Sequence, residues 1–575
     1  MWSVEFKINK LRKQNILWLL LFLMGLWLMI WKLPYGFGGD DEGFYLTAAH
    51  RLTLGQRLFT DEWHLSQLSS FFLYPFVKLF KAVTGGTDGI LLASRRLYLV
   101  CHSLTAAVVY IRLRKFGTLS VVASVMFMLF TPFDMMTCSY NTIALDMLAL
   151  TAAFAAPLSG KYSLAVSGVF FACAVVCCPY LALAYVLYAL VCIVYTALYA
   201  KTGREFFNYP LFTLKSFALF TAGIALVFIV FLLFLFSHTS VSEIIAALPG
   251  LFSDPEHPSY SVFFMLGHYV WCIFTSHKLC FIPIGIYILS LVLLVFDAKR
   301  QLHPVFHIAL PVCACLLWLA LMCTELTVKY YNGIMLPLSF LGFNAYILTE
   351  KKARGLFASC FVLGIIYSLC VNSTSNMGFD ILVIAFSVVN IASLVFIGLF
   401  IAGQSGRVKK SLIVLCAVPV LMLCAMSVYA KQNHCFWDGA PKDLCSEISV
   451  GPAKGIVTNE YFRKGYEDIY NDMQEFSGTN GKILVYSQQS WEYLISDLPY
   501  ASFSAWLSGL GETAVERLEL YYGMNGENLP ELIYIPKSSA FGELNIPSEK
   551  IYSDAGKHGF TVDESGIGYI LYKES

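Results

Sequence analysis

The stretch Ile16–Trp31, ILWLLLFLMGLWLMIW, is followed closely by Gly39–Tyr45, GDDEGFY. The first stretch is an apolar run, and a helix of about 20 such residues spans the hydrocarbon core of a bilayer. No small-residue cleavage site follows it, so we expect a retained membrane anchor rather than a signal peptide. The second stretch places three consecutive carboxylates where the chain leaves the membrane, a costly arrangement that points to chemistry.

The composition of the whole chain is also strongly apolar. Of its 575 residues, 58% are hydrophobic and only 13% are charged, which excludes a soluble domain of this length. Apolar runs of spanning length recur throughout residues 1–430. We therefore predict a mainly α, polytopic membrane protein that contacts membrane lipids and has no nucleic-acid partner.

The basic residues predict the direction of each span, because Lys and Arg beside short loops stay on the cytoplasmic side. Clusters of them lie at Lys7 to Lys13, Arg112 to Lys115, Lys161, Lys201 with Arg204, Lys299 with Arg300, Lys351 to Arg354 and Arg407 to Lys410. Keeping all of them inside requires about thirteen spans, near 16–33, 89–111, 118–134, 142–158, 162–178, 181–200, 212–236, 279–296, 305–323, 332–349, 355–372, 379–402 and 411–430. The N-terminus is then cytoplasmic, and the chain beyond residue 430 is extracytoplasmic.

Two outside loops, near 34–89 and 237–278, interrupt the predicted transmembrane catalytic domain of residues 1–430. In the first loop, Glu42 to Leu54 carries apolar residues at helical spacing, which predicts an amphipathic helix along the membrane surface. Leu65 to Val83 is apolar but contains a proline, which suits a partly embedded helix better than a crossing.

The tail, residues 431–575, differs from the rest in charge, with 11 basic against 21 acidic residues. Its short β-favouring runs lie at Lys482 to Tyr486, Leu532 to Ile535 and Gly568 to Tyr572, and its helical patterns at Phe462 to Phe476 and Thr513 to Tyr522. These patterns predict a small extracytoplasmic α/β domain. Cys435 and Cys445 lie close together in its neck, so a disulfide between them is plausible in an oxidising compartment.

The acidic cluster has two interpretations. Asp41 can simply cap the helix that begins at Glu42, with the other acids favoured at the positive end of that helix. Alternatively, the cluster serves catalysis, because it follows the first span directly and glycines at 36, 38 and 39 let the backbone fold tightly around a ligand.

Asp41, Glu42 and Tyr45 match a D-E-x-x-Y pattern, which resembles the start of the first extracytoplasmic loop in membrane glycosyltransferases of the GT-C fold. The protein O-mannosyltransferase and lipid A aminoarabinose transferase branch is the most similar. Further features in the same order along the chain are Gly55, Arg96 with Leu97, Asp146 after Ser139 to Asn141, and Lys329 to Tyr331 before Pro337. One stretch departs from the pattern, because His64 to Gln67 stands where the aminoarabinose branch carries Glu-Lys-Pro-Pro.

This resemblance implies inverting transfer of a sugar from a polyprenyl-phosphate donor to a hydroxyl acceptor on a glycan, a lipid or a protein. It implies catalytic roles for Asp41, as general base, and for Glu42 and Asp146. The donor phosphate is then bound by Arg96, Arg95 and Lys329, of which Arg96 is the stronger candidate. The predicted substrate-binding residues are Tyr45, Tyr140, Asn141, Tyr330 and Tyr331. The residues define no cofactor, and they leave a divalent metal open.

Other classes remain open at this stage. A polysaccharide polymerase or ligase would use the same kind of donor but transfer a lipid-linked oligosaccharide. A lipid-linked sugar transporter or flippase would also explain the spans, although such proteins often show internal repeats that we do not find here. A structural receptor with the acidic tail as its partner-binding domain is a further alternative.

Overall fold

A computed structural model of the chain describes residues 2–573 except 39, 157–159, 161, 204–209, 253–261, 277, 298–301, 325–330, 350–353, 373–382, 477–478, 508–511, 540–541 and 544–547. The described part is mainly helical. Its helices up to residue 433 are α1 (Trp2–Lys32), α2 (Asp40–Thr53), α3 (Ser70–Thr84), α4 (Ile90–Leu113), α5 (Leu119–Leu129), α6 (Tyr140–Ala155), α7 (Ser163–Cys177), α8 (Ala182–Thr202), α9 (Leu214–Phe236), α10 (Val241–Leu251), α11 (Val262–Ser276), α12 (Phe281–Phe296), α13 (Pro304–Thr324), α14 (Leu338–Leu348), α15 (Arg354–Phe357), α16 (Leu363–Asn372), α17 (Phe386–Ala402) and α18 (Gly406–Asn433).

Seven helical segments in the described part of the chain are long and apolar enough to cross a membrane. They are Leu11–Lys32, Ile90–Phe116, Pro179–Thr202, Leu214–Phe236, Lys278–Phe296, Pro304–Cys323 and Gly406–Asn433. The other six predicted spans coincide with shorter apolar helices, within α5, α6, α7, α14, α15 to α16, and α17. The protein is a membrane protein, and the count of about thirteen crossings stays a prediction.

The helices after residue 433 are α19 (Glu460–Met473), α20 (Glu512–Met524) and α21 (Ser548–Lys557). The strands are β1 (Ser446–Glu447), β2 (Val457–Thr458), β3 (Ile483–Val485), β4 (Leu532–Pro536), β5 (Ser538–Ser539), β6 (Gly542–Glu543), β7 (Thr561–Glu564) and β8 (Gly568–Tyr572). Four of them form a sheet in the order β3-β4-β8-β7, in which only the β3–β4 pair is parallel. The predicted small C-terminal sheet region is confirmed.

The predicted amphipathic helix exists as α2, but its surroundings differ from the prediction. Every residue from Glu42 to Leu52, three turns of α2, is buried, so this helix has no free polar face. The C-terminal region covers it: the backbone at Gly43 packs so closely on Trp491 that a β-carbon would lie 2.7 Å from that side chain. α2 therefore lies in a protein interior rather than with one side open at a membrane surface.

One hydrophobic core joins the first loop to the C-terminal region. Phe37, Phe44 and Leu46 of the loop are buried in the same cluster as Trp491 and Tyr534. The hydrophobic core therefore does not divide at residue 430, and a separate domain of residues 431–575 stays a prediction.

Polar contacts reinforce this junction. His50 Nδ1 lies 2.7 Å from Tyr500 Oη, and His50 Nε2 lies 3.1 Å from Lys81 Nζ and 3.3 Å from Asp497 Oδ1. Burial lowers the pKa of His50. The hydrogen bond from His50, together with Lys81, lowers the pKa of Asp497. The buried imidazole is therefore held neutral between α2, α3 and the C-terminal region.

Candidate active site

Arg95, in the second turn of α4, organises the loop that leads from α1 to α2. Its guanidinium forms a two-point contact with the Glu42 carboxylate, at 2.6 Å for each oxygen. Its remaining N–H groups donate to the carbonyl oxygens of Leu33, Tyr35 and Gly36, at 2.9, 3.2 and 2.6 Å. Since a guanidinium has five N–H donors, these contacts occupy all of them. Arg95 therefore positions Glu42 and the loop backbone.

Two glycines let this loop pack against the neck that follows α18. Gly36 has φ +89°, and a β-carbon there would lie 2.5 Å from Cys435 Cβ. A β-carbon at Gly38 would lie 2.6 Å from the Phe436 carbonyl oxygen. The carboxylate of Asp438 accepts the backbone N–H of the residue between them, Phe37, at 2.9 Å. The glycines predicted to permit tight folding thus permit contact with the neck.

Asp41 lies half-buried in the first turn of α2, and Tyr45 follows one turn later. Burial raises the pKa of the Tyr45 hydroxyl well above its usual value, and the negative charge of Asp41 raises it further. The Tyr45 ring meets the ring of Tyr140 edge-on, with centroids 5.9 Å apart. Three of the predicted site residues therefore lie together.

A second charged cluster, which we call the lysine–aspartate triad, consists of Lys32, Asp134 and Lys431. One Asp134 carboxylate oxygen lies 3.3 Å from Lys32 Nζ, and the other accepts from Lys431 Nζ. All three residues are at most 4% exposed. Lys431 also donates to Thr131 Oγ1 at 3.1 Å. Ends of α1 and α18 thus converge on the connection between α5 and α6.

The backbone that carries Asp134 is strained. Phe133 and Asp134 have φ values of +56° and +60°, in the left-handed region that residues other than glycine seldom adopt. Asn332 supports the turn, since its side-chain oxygen accepts the Phe133 N–H at 3.0 Å. Such strain costs about 1–3 kcal/mol for each residue and persists only where surrounding contacts impose it, often at functional sites.

The triad and the Arg95–Glu42 pair adjoin one small cavity. Its lining comprises Lys32, Leu33, Tyr35, Gly36, Gly38, Asp41, Glu42, Arg95, Asp134, Met135, Met136, Cys435 and Phe436. Sequence reasoning missed Lys32, Asp134 and Lys431. A signal was present for the two lysines, because each lies at a predicted outer end of a span, where the inside rule makes cations scarce.

Asp146, a predicted catalytic residue, is not among the residues lining this cavity. Its carboxylate lies 2.6 Å from His102 Nδ1, and His102 Nε2 lies 3.0 Å from the Phe127 carbonyl oxygen. Since that carbonyl can only accept, Nε2 donates to it, which leaves Nδ1 facing the Asp146 carboxylate. Asn141 likewise accepts from Tyr367 Oη at 2.8 Å. Both side chains thus link helices, and their part in the reaction stays a prediction.

The predicted phosphate ligands have different surroundings. Arg96 is exposed, whereas its neighbour Arg95 is buried, because consecutive residues face different sides of a helix. Lys329 and Tyr330 lie outside the described residues. Tyr331 begins a 3₁₀ turn, Tyr331–Met335, and its side chain is outside the described part. The preference for Arg96 over Arg95 therefore receives no support from burial or pairing.

The predicted disulfide is not formed. Cys435 is buried, with its sulfur 3.2 Å from Lys32 Nζ, whereas Cys445 is exposed, and both thiols are free. Burial raises the pKa of the Cys435 thiol, with the Lys32 charge opposing that effect. Cys435 instead contributes to the cavity wall.

Two of the three cavity carboxylates, those of Glu42 and Asp134, are not arranged as ligands of a divalent metal. Hard cations require several oxygen ligands, but both Glu42 oxygens are bonded to Arg95, and the Asp134 oxygens meet two lysines. Within the described ranges, no group of three or more His, Cys, Asp or Glu side chains could hold a metal ion.

No family model and no curated protein match this chain. Three matching solved structures are of the Archaeoglobus fulgidus oligosaccharyltransferase. The apo form has 9% identity and a TM-score of 0.45, over 91% of this chain and 70% of that one. The complex with Zn and sulfate has 9% identity and a TM-score of 0.45, over 96% and 73%. The form tethered to an acceptor peptide has 10% identity and a TM-score of 0.44, over 97% and 74%.

These structures are of a GT-C fold membrane glycosyltransferase. That is the class which the sequence resembles.

Proposed function

We propose that the protein transfers a sugar from a polyprenyl-phosphate donor to a hydroxyl group of a glycan, lipid or protein acceptor, with inversion at the sugar carbon. The reaction would take place at the extracytoplasmic face of the cytoplasmic membrane, on the side of the helices where the C-terminal region lies. One observation carries the proposal: a cavity at the ends of apolar helices contains paired, buried charges and a half-buried carboxylate, Asp41.

Asp41 is the general base in this proposal. Of the three predicted catalytic acids, Glu42 has both oxygens bound by Arg95, and Asp146 is held by His102 away from the cavity. The attacking acceptor hydroxyl must lose its proton, and a base within hydrogen-bond reach contributes about 10²–10⁴ in rate. Asp41 accepts that proton as the oxygen bonds to the sugar and the bond to the donor phosphate breaks.

The departing phosphate gains charge and requires cations fixed beside it. Arg96 and Lys329 remain proposed ligands for it, with Tyr330 and Tyr331 next to Lys329 along the chain. Arg95, whose five N–H groups are already engaged, acts here as a positioning residue that holds Glu42 and the loop. Tyr45 and Tyr140 form an aromatic wall beside Asp41 against which a sugar ring can pack.

The test compares Asp41→Asn with Asp40→Asn in the purified full-length protein, supplied with polyprenyl-phosphate sugars and hydroxyl acceptors. Asp40→Asn is the matched control, because it removes the same charge one residue earlier. We expect Asp41→Asn to lower the turnover rate at least about 100-fold while donor binding persists. Turnover close to that of the wild type in a folded Asp41→Asn protein would contradict the assignment.

A further inference from the structure

The lysine–aspartate triad carries more positive than negative charge. Two ammonium groups, on Lys32 and Lys431, share the single carboxylate of Asp134, so the three side chains have a net charge of +1. The nearby Cys435 thiol is neutral and does not compensate this charge. An excess of buried positive charge is costly, so an anion beside Lys32 would stabilise the triad, although the Asp41 carboxylate lines the same cavity.

The strain in the turn indicates that the arrangement has a role. The left-handed conformations at Phe133 and Asp134 place the carboxylate between the two lysines. The strained turn thus holds Asp134 between two lysines, of which Lys32 lines the cavity.

Lys32 can accept a new ligand without losing a strong contact. Its ammonium donates to the His434 carbonyl oxygen and, at 3.2 Å, to the Cys435 sulfur, and it lies 3.3 Å from an Asp134 oxygen as an ion pair without a hydrogen bond. Thiol sulfur is a weak hydrogen-bond acceptor. A phosphate oxygen that entered the cavity could replace the sulfur and leave the other two contacts intact.

We propose that Lys32 binds the phosphate group of the lipid donor, and that Lys431 keeps Asp134 from neutralising Lys32. Because Asp134 is shared between two ammonium groups, part of the Lys32 charge remains available to the ligand. Lys32 lines the same cavity as Asp41, so the proposed phosphate ligand and the proposed general base lie at one site. This proposal rests on the proposed function, since it assigns the phosphate site of that reaction.

The experiment measures binding of farnesyl phosphate, a short prenyl phosphate, to the full-length protein in lipid nanodiscs, with farnesol as the uncharged control. We expect Lys32→Met to weaken farnesyl phosphate binding at least tenfold and to leave farnesol binding unchanged. Asp134→Asn keeps the shape of the side chain and removes the competing charge, so we expect it to tighten farnesyl phosphate binding at least threefold.

Opposite effects of the two variants on farnesyl phosphate binding support the proposal. If the ion pair were purely structural, both variants would destabilise the fold and weaken binding. Unchanged binding in Lys32→Met overturns it. If Lys32→Met does not fold, Asp134→Asn decides alone: tighter binding supports the site, and unchanged or weaker binding overturns it. If the wild type binds farnesol and farnesyl phosphate equally, the proposal of a prenyl-phosphate donor is wrong as well. If the Lys32→Met protein transfers sugar and binds farnesyl phosphate normally, only the assignment of Lys32 is wrong.

Discussion

Removal of Arg95 should destabilise the protein strongly, and the neighbouring Arg96 provides a matched control. Arg95→Met leaves the Glu42 carboxylate buried without its cation, and the loss of one partner from a buried ion pair costs about 3–5 kcal/mol. It also removes the donors from the carbonyl groups of Leu33, Tyr35 and Gly36. Arg96 is exposed, so we expect Arg96→Met to change the free energy of unfolding by less than about 0.5 kcal/mol.

The Glu42 side of the pair can be tested in the same way. Glu42→Gln retains the shape but turns its amide N–H groups toward the Arg95 donors, which loses at least one charge-assisted hydrogen bond, about 1.5–3 kcal/mol. In the double variant no charge is left unpaired, so Glu42→Gln should add little to the cost of Arg95→Met. The coupling energy is then about 1.5–3 kcal/mol, well above the additive limit for independent sites.

The assay is unfolding of the full-length protein by SDS in mixed micelles, followed by tryptophan fluorescence and by circular dichroism. If the losses in unfolding free energy of the two single variants sum to that of the double variant within about 0.5 kcal/mol, the paired geometry is refuted. An effect of Arg96→Met as large as that of Arg95→Met would show instead that any charge loss at this end of α4 is destabilising.

Three further predictions concern the junction of α2 with the C-terminal region. Gly43→Ala should lower the apparent unfolding temperature because its β-carbon would meet Trp491 at 2.7 Å, whereas Gly86→Ala, in open space, should not; equal shifts would contradict the close packing. Deletion of residues 450–575 should abolish donor binding as well as acceptor use, since α2 shares its core with that region, and a deleted protein that still binds donor would separate the two. The pKa of His50 is lower in the folded than in the unfolded protein, so the contribution of His50 to stability is present above about pH 6.5 and is lost as the pH falls. Between about pH 7.5 and 5.5 the unfolding temperature should therefore drop in the wild type and drop less in His50→Gln. Parallel curves of unfolding temperature against pH would exclude this role.

Local sequence patterns predicted the elements well. The helix over Glu42 to Leu54 occurs as Asp40–Thr53, and the β-favouring run Leu532 to Ile535 occurs as Leu532–Pro536. These features depend on periodicity and composition within a few residues of one another, which a single sequence displays directly. The prediction that this helix lies at the membrane surface was wrong, because its apolar side packs on the C-terminal region and its polar side is covered too.

The pairing of charged residues, by contrast, could not be predicted from the sequence. The sequence favours Arg96 over its neighbour Arg95, and only the direction of each side chain on α4 decides that Arg95 meets Glu42. Asp134 attracts no attention in the sequence, since its partner Lys431 lies 297 residues away along the chain.

The sequence by itself determined that this is a helical membrane protein with an acidic loop after its first apolar helix and a small sheet region at its end. Hydropathy, charge counts and periodicity are sums over neighbouring residues, so they need no knowledge of contacts. Only the tertiary structure decided which charges pair, which are buried and which line the cavity beside Asp41. Those properties depend on distances between segments far apart in the chain, and a buried charge is stabilised or not according to the partner that the fold brings to it.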